Sequence, residues 1–328
     1  LEGSSRGLYA ADLGITSLRV ATAENNAGGI DLRLNAAEFA YGARRVEKVD
    51  VDASLNPGEQ RFAVTMMPLG NEVSIAARGN MSEAGKLSGF PWRGTVEEFT
   101  LVTRSGEGGG IDQPVPIELA PDRLWIENFC VSGEARGRLC ATLGFDTANG
   151  LAVDGAIDGV PIDVLNAFLQ TGFDFEQTVS GSISWEDGAD DGATGRVTLS
   201  FTPGKLTNSR FPSLDLYTGE GELSFEVAAG NLLSGRVALP LNAQGFIDGE
   251  FNVDDISEGA DSPIRGALNV STSDIDIFAA LLPDIDSATG NLQADLALGG
   301  TLGQPLVTGT AAISDGEVNY FPLGLALT

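Results

Sequence analysis

The sequence predicts an all-β protein, an antiparallel stack of half-apolar strands, on the strength of three observations. Period-two alternation recurs along the chain, turn residues punctuate it, and a unit of short helix followed by strands occurs twice. Successive side chains of a strand point to opposite faces, so alternation gives each segment one apolar and one wet face.

Taken in order, Ile30, Leu32 and Leu34 alternate with polar neighbours, as do Val49, Val51, Ala53 and Leu55 with Lys48, Asp50, Asp52 and Ser54. Further along, Val197, Leu199 and Phe201 alternate with Arg196, Thr198 and Ser200, and Leu223, Phe225 and Val227 with Glu222, Ser224 and Glu226. Leu292, Ala294, Leu296 and Leu298 repeat the pattern. Asn56-Pro57-Gly58, Ser105–Gly110, Asp187–Gly192, Thr202-Pro203-Gly204 and Glu258–Pro263 supply the turns. Strand centres fall roughly 10–15 residues apart, which suits hairpin-linked antiparallel strands.

Two segments break the alternation, and 162–169 and 275–282 are predicted as short amphipathic helices. Ile162-Asp163 matches Ile275-Asp276, Ala167 matches Ala280 and Leu169 matches Leu282; each helix is followed by a glycine-led strand. Repeat units of roughly 160–270 and 273–328, the second incomplete, follow from this, and repetition favours an elongated stack. The chain, 1–328, is therefore read as one continuous elongated β segment.

Composition narrows the function. Apolar residues make up 42%, enough to bury, while 19 Lys+Arg against 46 Asp+Glu leave a net charge of −27. Phosphate recognition needs clustered Lys and Arg, so no nucleic-acid partner is expected, and adsorption to an anionic membrane surface is disfavoured. Histidine is absent, which removes the commonest general base and metal ligand. The longest apolar run, Ile277 to Leu282, stops at Pro283 and is far short of the ~20 residues of a spanning helix. Both ends look cut, so a piece of a longer protein is expected.

Candidate chemistry is sparse. With Glu134–Arg136 as a hairpin turn, Cys130 faces Cys140, close enough for a disulfide and hence an oxidising compartment. Two buried free thiols are the alternative; two sulfurs without histidine are too few for a metal. The acidic loop Asp187–Gly192 lacks calcium-loop spacing, and Ser105–Gly110 has no following lysine or βαβ context, so both read as loops. No spacing selects a carboxylate pair and no Ser–His arrangement is possible. No catalytic residue, metal or cofactor is assigned, and the chain is expected not to be an enzyme. A polysaccharide lyase would need a basic cluster that the charge of −27 opposes.

The segment from Phe90-Pro91-Trp92-Arg93-Gly94 to Leu101, followed by a glycine-rich loop and Gln113-Pro114-Val115, resembles the central periplasmic part of the TamB family. Cys130-Val131 and Leu139-Cys140 stand where that family carries a cysteine pair. Gly290-Asn291-Leu292, then Leu298-Gly299-Gly300-Thr301-Leu302 and Gln304-Pro305-Leu306-Val307-Thr308-Gly309, is similar to a unit of TamB and AsmA-like proteins. The resemblance covers about residues 85–328.

That resemblance implies a curled sheet, a β-taco or open groove, in the periplasm of a Gram-negative cell. The full-length protein would be anchored in the inner membrane, with an Omp85-type outer-membrane partner, TamA, met through other regions. It also implies phospholipid transfer between the membranes and a link to outer-membrane protein and autotransporter assembly. The expected groove lining is Leu199, Phe201, Leu223, Phe225, Leu292, Leu296 and Leu298. The rival expectation is an assembly scaffold acting by β-strand addition at a sheet edge.

Overall fold

The computed structural model describes residues 2–10, 13–41, 44–81, 91–104, 106, 108–133, 137–162, 164, 173–188, 192–208, 211–228, 230–241, 245–273, 275, 285–320 and 325–327. The protein is all-β, and every strand pairing among the described residues is antiparallel. Two units divide it, Leu1–Leu151 and Ala152–Thr328.

The first unit holds β1 (Glu2–Ala10), β2 (Leu13–Glu24), β3 (Ile30–Tyr41), β4 (Arg44–Leu55), β5 (Gln60–Pro68), β6 (Glu72–Met81) and β7 (Trp92–Val102). It continues with β8 (Gly108–Ile111), β9 (Val115–Ala120), β10 (Arg123–Gly133) and β11 (Arg138–Asp146). β1 to β7 pair in sequence order, as alternating half-apolar segments with tight turns should. β8 and β9 share one strand position between β7 and β10. Gln113-Pro114 lies in the gap between them, where proline costs no ladder hydrogen bond.

Register shifts in β4, β7 and β10 set which side chains share a face; that of β4 falls between Val46 and Val49. In β7 the register shifts opposite Ala76/Ala77: Val96 faces Ala77 and Glu98 faces Ala76. In β10 it shifts between Ile126 and Phe129, with Asn128 in the left-handed region at φ 51°. An extra residue reverses the parity of everything after it. Trp92, Gly94 and Val96 before the β7 bulge thus share a face with Phe99 and Leu101 after it.

The second unit holds β12 (Gly150–Pro161), β13 (Phe173–Phe175), β14 (Thr178–Gly188), β15 (Gly192–Phe201), β16 (Gly204–Asn208), β17 (Phe211–Thr218) and β18 (Gly221–Ala228). β19 (Leu232–Leu241), β20 (Gly245–Val253), β21 (Ile264–Thr272), β22 (Ile285–Gly300), β23 (Pro305–Tyr320) and β24 (Leu325–Leu327) complete it. Its main ladder runs β12-β14-β15-β18-β19-β20-β21-β22-β23-β24. β13, β16 and β17 pair among themselves and meet the ladder at Thr218 opposite Leu241. There lies the closed core found among the described residues, Leu216 and Leu241 with Leu206, Leu239 and Ile247 packed against them.

Strict hairpin succession, expected from the turn spacing, therefore fails at β13, which β12 bypasses to pair with β14, and at β16 and β17. The chain leaves the ladder at Thr202-Pro203-Gly204 and returns at β18, which pairs with β15. Of the helices expected at 162–169 and 275–282, all but Ile162, Val164 and Ile275 lies outside the described residues. A 3-10 turn, Ile256–Asp261, follows β20; Asp255 caps it by accepting from the Ser257 backbone N–H at 2.9 Å.

Candidate functional site

Residues directly opposite across antiparallel strands project from the same face. In the second unit one transverse row reads Gly181, Leu199, Leu223, Val237, Gly249, Leu268, Leu296, Gly309. The neighbouring row reads Ile183, Val197, Phe225, Gly235, Phe251, Gly266, Leu298, Val307. Phe201 lies opposite Val179 and Gly221, and Leu292 opposite Thr272 and Ile313, on that same face.

All seven residues singled out from the alternation therefore share one face, and three of them, Leu199, Leu223 and Leu296, share one row. Six are half-buried, and Leu292 is buried at 8% exposure. Sequence reasoning passed over Val237, Leu268 and Phe251, which alternate in the same way within β19, β21 and β20. Phe251 lies across Gly235, where an added Cβ would stand 2.4 Å from its ring, and its ring centroid is 5.9 Å from that of Phe225. Glycine in this row makes the space in which an aromatic ring lies against the sheet.

The first unit repeats the arrangement. Val20, Leu34, Val51, Val64, Ile75 and Phe99 form one row, and Thr22, Leu32, Ala53, Phe62, Ala77, Val96 and Val115 the next. Phe99 packs edge-on against Phe129 at 5.1 Å, which puts Phe129 on the apolar face.

The opposite face is wet and charged. Ion pairs cross it at Arg33–Asp52 (3.1 Å), Arg93–Glu118 (3.2 Å) and Arg196–Glu226 (2.8 Å). Such exposed pairs add little stability, but they fix which face meets water. Hydrogen bonds from Lys48 and then Asn35 hold the Asp50 carboxyl below its ordinary range. Those from Asn25 and Ser54 do the same for Asp31.

Cys130 and Cys140 are joined by a disulfide and face one another across β10 and β11. The Cys130 carbonyl accepts from the Asp112 backbone N–H on its other side, so the pair is of the non-hydrogen-bonded, close kind. Phe129 occupies the apolar face, so the disulfide lies on the polar one. No group of three or more acidic or sulfur side chains suited to a metal occurs among the described residues.

Alternating strands, one apolar face, one charged face and a minimal closed core define a sheet protein that presents an apolar surface. Among the described residues no helix is long and apolar enough to cross a membrane. The chain belongs to the TamB family: the model of the TamB N-terminal domain matches it over residues 10–313. The matched region is described as the family's N-terminal domain, where the motifs had suggested its central part. No curated protein and no solved structure matches it significantly. Membership gives the chain a TamB-like role in outer-membrane assembly or lipid transport, as an envelope-associated component of a non-enzymatic system that works with an outer-membrane partner.

Proposed function

We propose that the apolar face is a lipid path: phospholipid acyl chains lie along it, and the chain is a periplasmic segment of a bridge between the inner and outer membranes. The observation behind this reading is the pair of rows in the second unit, apolar but for glycine, whose large side chains from Leu199 to Leu296 and from Ile183 to Leu298 stay half-buried. Leu199, Phe201, Leu223, Phe225, Leu292, Leu296 and Leu298 are the lining in this reading. Each methylene laid on such a surface gains up to about 0.8 kcal/mol, with no directional bond to break as it slides. No residue of the lining reacts. The full-length protein would be anchored in the inner membrane and would deliver lipid toward an Omp85-type partner, TamA.

Leu296→Arg tests the reading, because it sets an unpaired charge where acyl chains are proposed to lie. The variant should fold and carry roughly tenfold less phospholipid, or fewer still, than the parent. Ser200→Arg, on the opposite face, should carry the parental amount. Equal lipid in Leu296→Arg and parent would overturn the assignment.

A second reading, an assembly scaffold acting by strand addition, is favoured by one feature. Among the described residues, the outer edge of β23 pairs with β24 only from Val318 to Tyr320. Val307 and Ile313 on that strand are 57% and 47% exposed. An unpaired edge offers N–H and C=O groups to an incoming outer-membrane strand. Prolines on that edge would abolish strand addition while leaving lipid content intact.

A further inference from the structure

One row of the first unit contains a polar residue among apolar ones. Ile30, Leu55, Gln60, Gly79, Gly94, Ile117 and Ile126 lie opposite one another in turn. Gln60 is only 6% exposed, and its Oε1 has no hydrogen-bond partner. Its Nε2 donates to the Asn56 carbonyl at 2.9 Å, which fixes the amide and leaves the acceptor end free.

The second orphan is close by. Trp92, 8% exposed, lays the six-membered edge of its indole over Gly79 and Gly94, where added Cβ atoms would stand 2.5 and 2.2 Å from ring carbons. Gly79 is the residue that faces Gln60, and the indole meets Phe62 edge-on at 5.7 Å. Trp92 Nε1 also lacks a partner. A donor and an acceptor, both shut off from water and both unpaired, thus occupy one corner of the apolar face.

The corner is a rim. Gln60 opens β5 and Trp92 opens β7; both strands run antiparallel to β6, so the two residues stand at the same sheet edge. Phe62 and Val64 lead inward from there along the apolar face. Buried polar groups are nearly always paired, and each orphan carries an uncompensated desolvation cost that a ligand group could recover. Tryptophan suits such a boundary, with an apolar body and one polar edge.

We infer that Gln60 and Trp92 form a head-group seat for phospholipid at this rim. The indole N–H donates to an ester or phosphate oxygen, and Gln60 Oε1 accepts from a head-group N–H or O–H while the acyl chains run inward past Phe62. The seat therefore selects head groups that carry a hydrogen-bond donor. This rests on the lipid-path reading.

Tryptophan fluorescence tests it in a Trp125→Phe/Trp185→Phe background, where Trp92 is the single indole. The probes are vesicles of phosphatidylethanolamine or phosphatidylcholine, each brominated near the ester end; both are zwitterionic and only the first has an N–H donor. The ethanolamine lipid should quench Trp92 at about three- to tenfold lower concentration, the worth of one hydrogen bond. Gln60→Leu should erase that preference without lowering the melting temperature of the lipid-free protein. Equal quenching by the two lipids would overturn the inference. So would a Gln60→Leu variant of lower stability with the preference intact, which would make the seat a structural water site. Lipid that co-purifies without quenching Trp92 refutes the seat and spares the lipid path. Neither lipid nor quenching refutes both.

Discussion

The two units build the same one-sided sheet by different means. From β14 through β15, β18, β19 and β20 to β21, the second unit runs without a register shift, so odd and even numbering keeps its meaning within each strand. The first unit corrects itself three times, in β4, β7 and β10, and its apolar residues change parity at each correction. A strand long enough to twist out of step can keep its face only by inserting a residue. The bulges of the first unit therefore hold Phe99, Leu101, Phe129 and Val131 on the apolar side.

The largest expected effect adds a parity change that no bulge absorbs. Deleting Thr100 should turn either Leu101 or Trp92, Val96 and Phe99 toward the charged face, whereas deleting Glu98, which takes out the extra residue, leaves Val96 and Phe99 two positions apart and on one face. A loss of about 4 kcal/mol in denaturant unfolding is expected for the Thr100 deletion from the apolar area exposed. Unfolding of that variant no easier than the parent's would mean that alternation does not set the face.

Removal of the disulfide should cost less and sharpen a different contrast. Cys130→Ala/Cys140→Ala opens a short loop and should lower stability by about 2–3 kcal/mol. Because the bridge lies on the polar face, lipid content should stay at the parental level. A variant that lost its lipid yet remained folded would show that the two faces are coupled.

The smallest effect is acid sensitivity of the first unit. The lowered carboxyls of Asp31 and Asp50 stabilise the folded state fully above the ordinary carboxylate value of about 4. That contribution is lost as pH falls through their lower folded-state values. The gap between the melting temperatures of Asp50→Asn and the parent should be smaller at pH 3 than at pH 7, where the parent should be the more stable. The same gap at both pH values would exclude a titrating contribution from Asp50.

How far the sequence was legible follows the same division. Strand class and the shared face of Leu199, Leu223 and Leu296 follow from plain alternation, because no register shift intervenes between these positions and their partners, and the facing of Cys130 and Cys140 follows from the hairpin, because the β10 bulge lies before Phe129. The rows of the first unit do not. Glu97-Glu98 and Glu127-Asn128, adjacent polar pairs inside otherwise alternating runs, are the marks of the parity change, and each reads locally as an ordinary wet stretch. The excursion of β16 and β17 was equally hidden, since pairing of β15 with β18 is a tertiary choice between strands of similar pattern. Gln60, just past the turn Asn56-Pro57-Gly58, carries no mark of its place in the sequence; only the register sets it among isoleucine, leucine and glycine.

The central claim is that the apolar face carries lipid, and mass spectrometry of the folded chain as purified tests it most directly. Phospholipid in at least molar parity with the chain is expected, and its loss in Leu296→Arg. A folded, lipid-free parent whose apolar rows are closed against one another would contradict it.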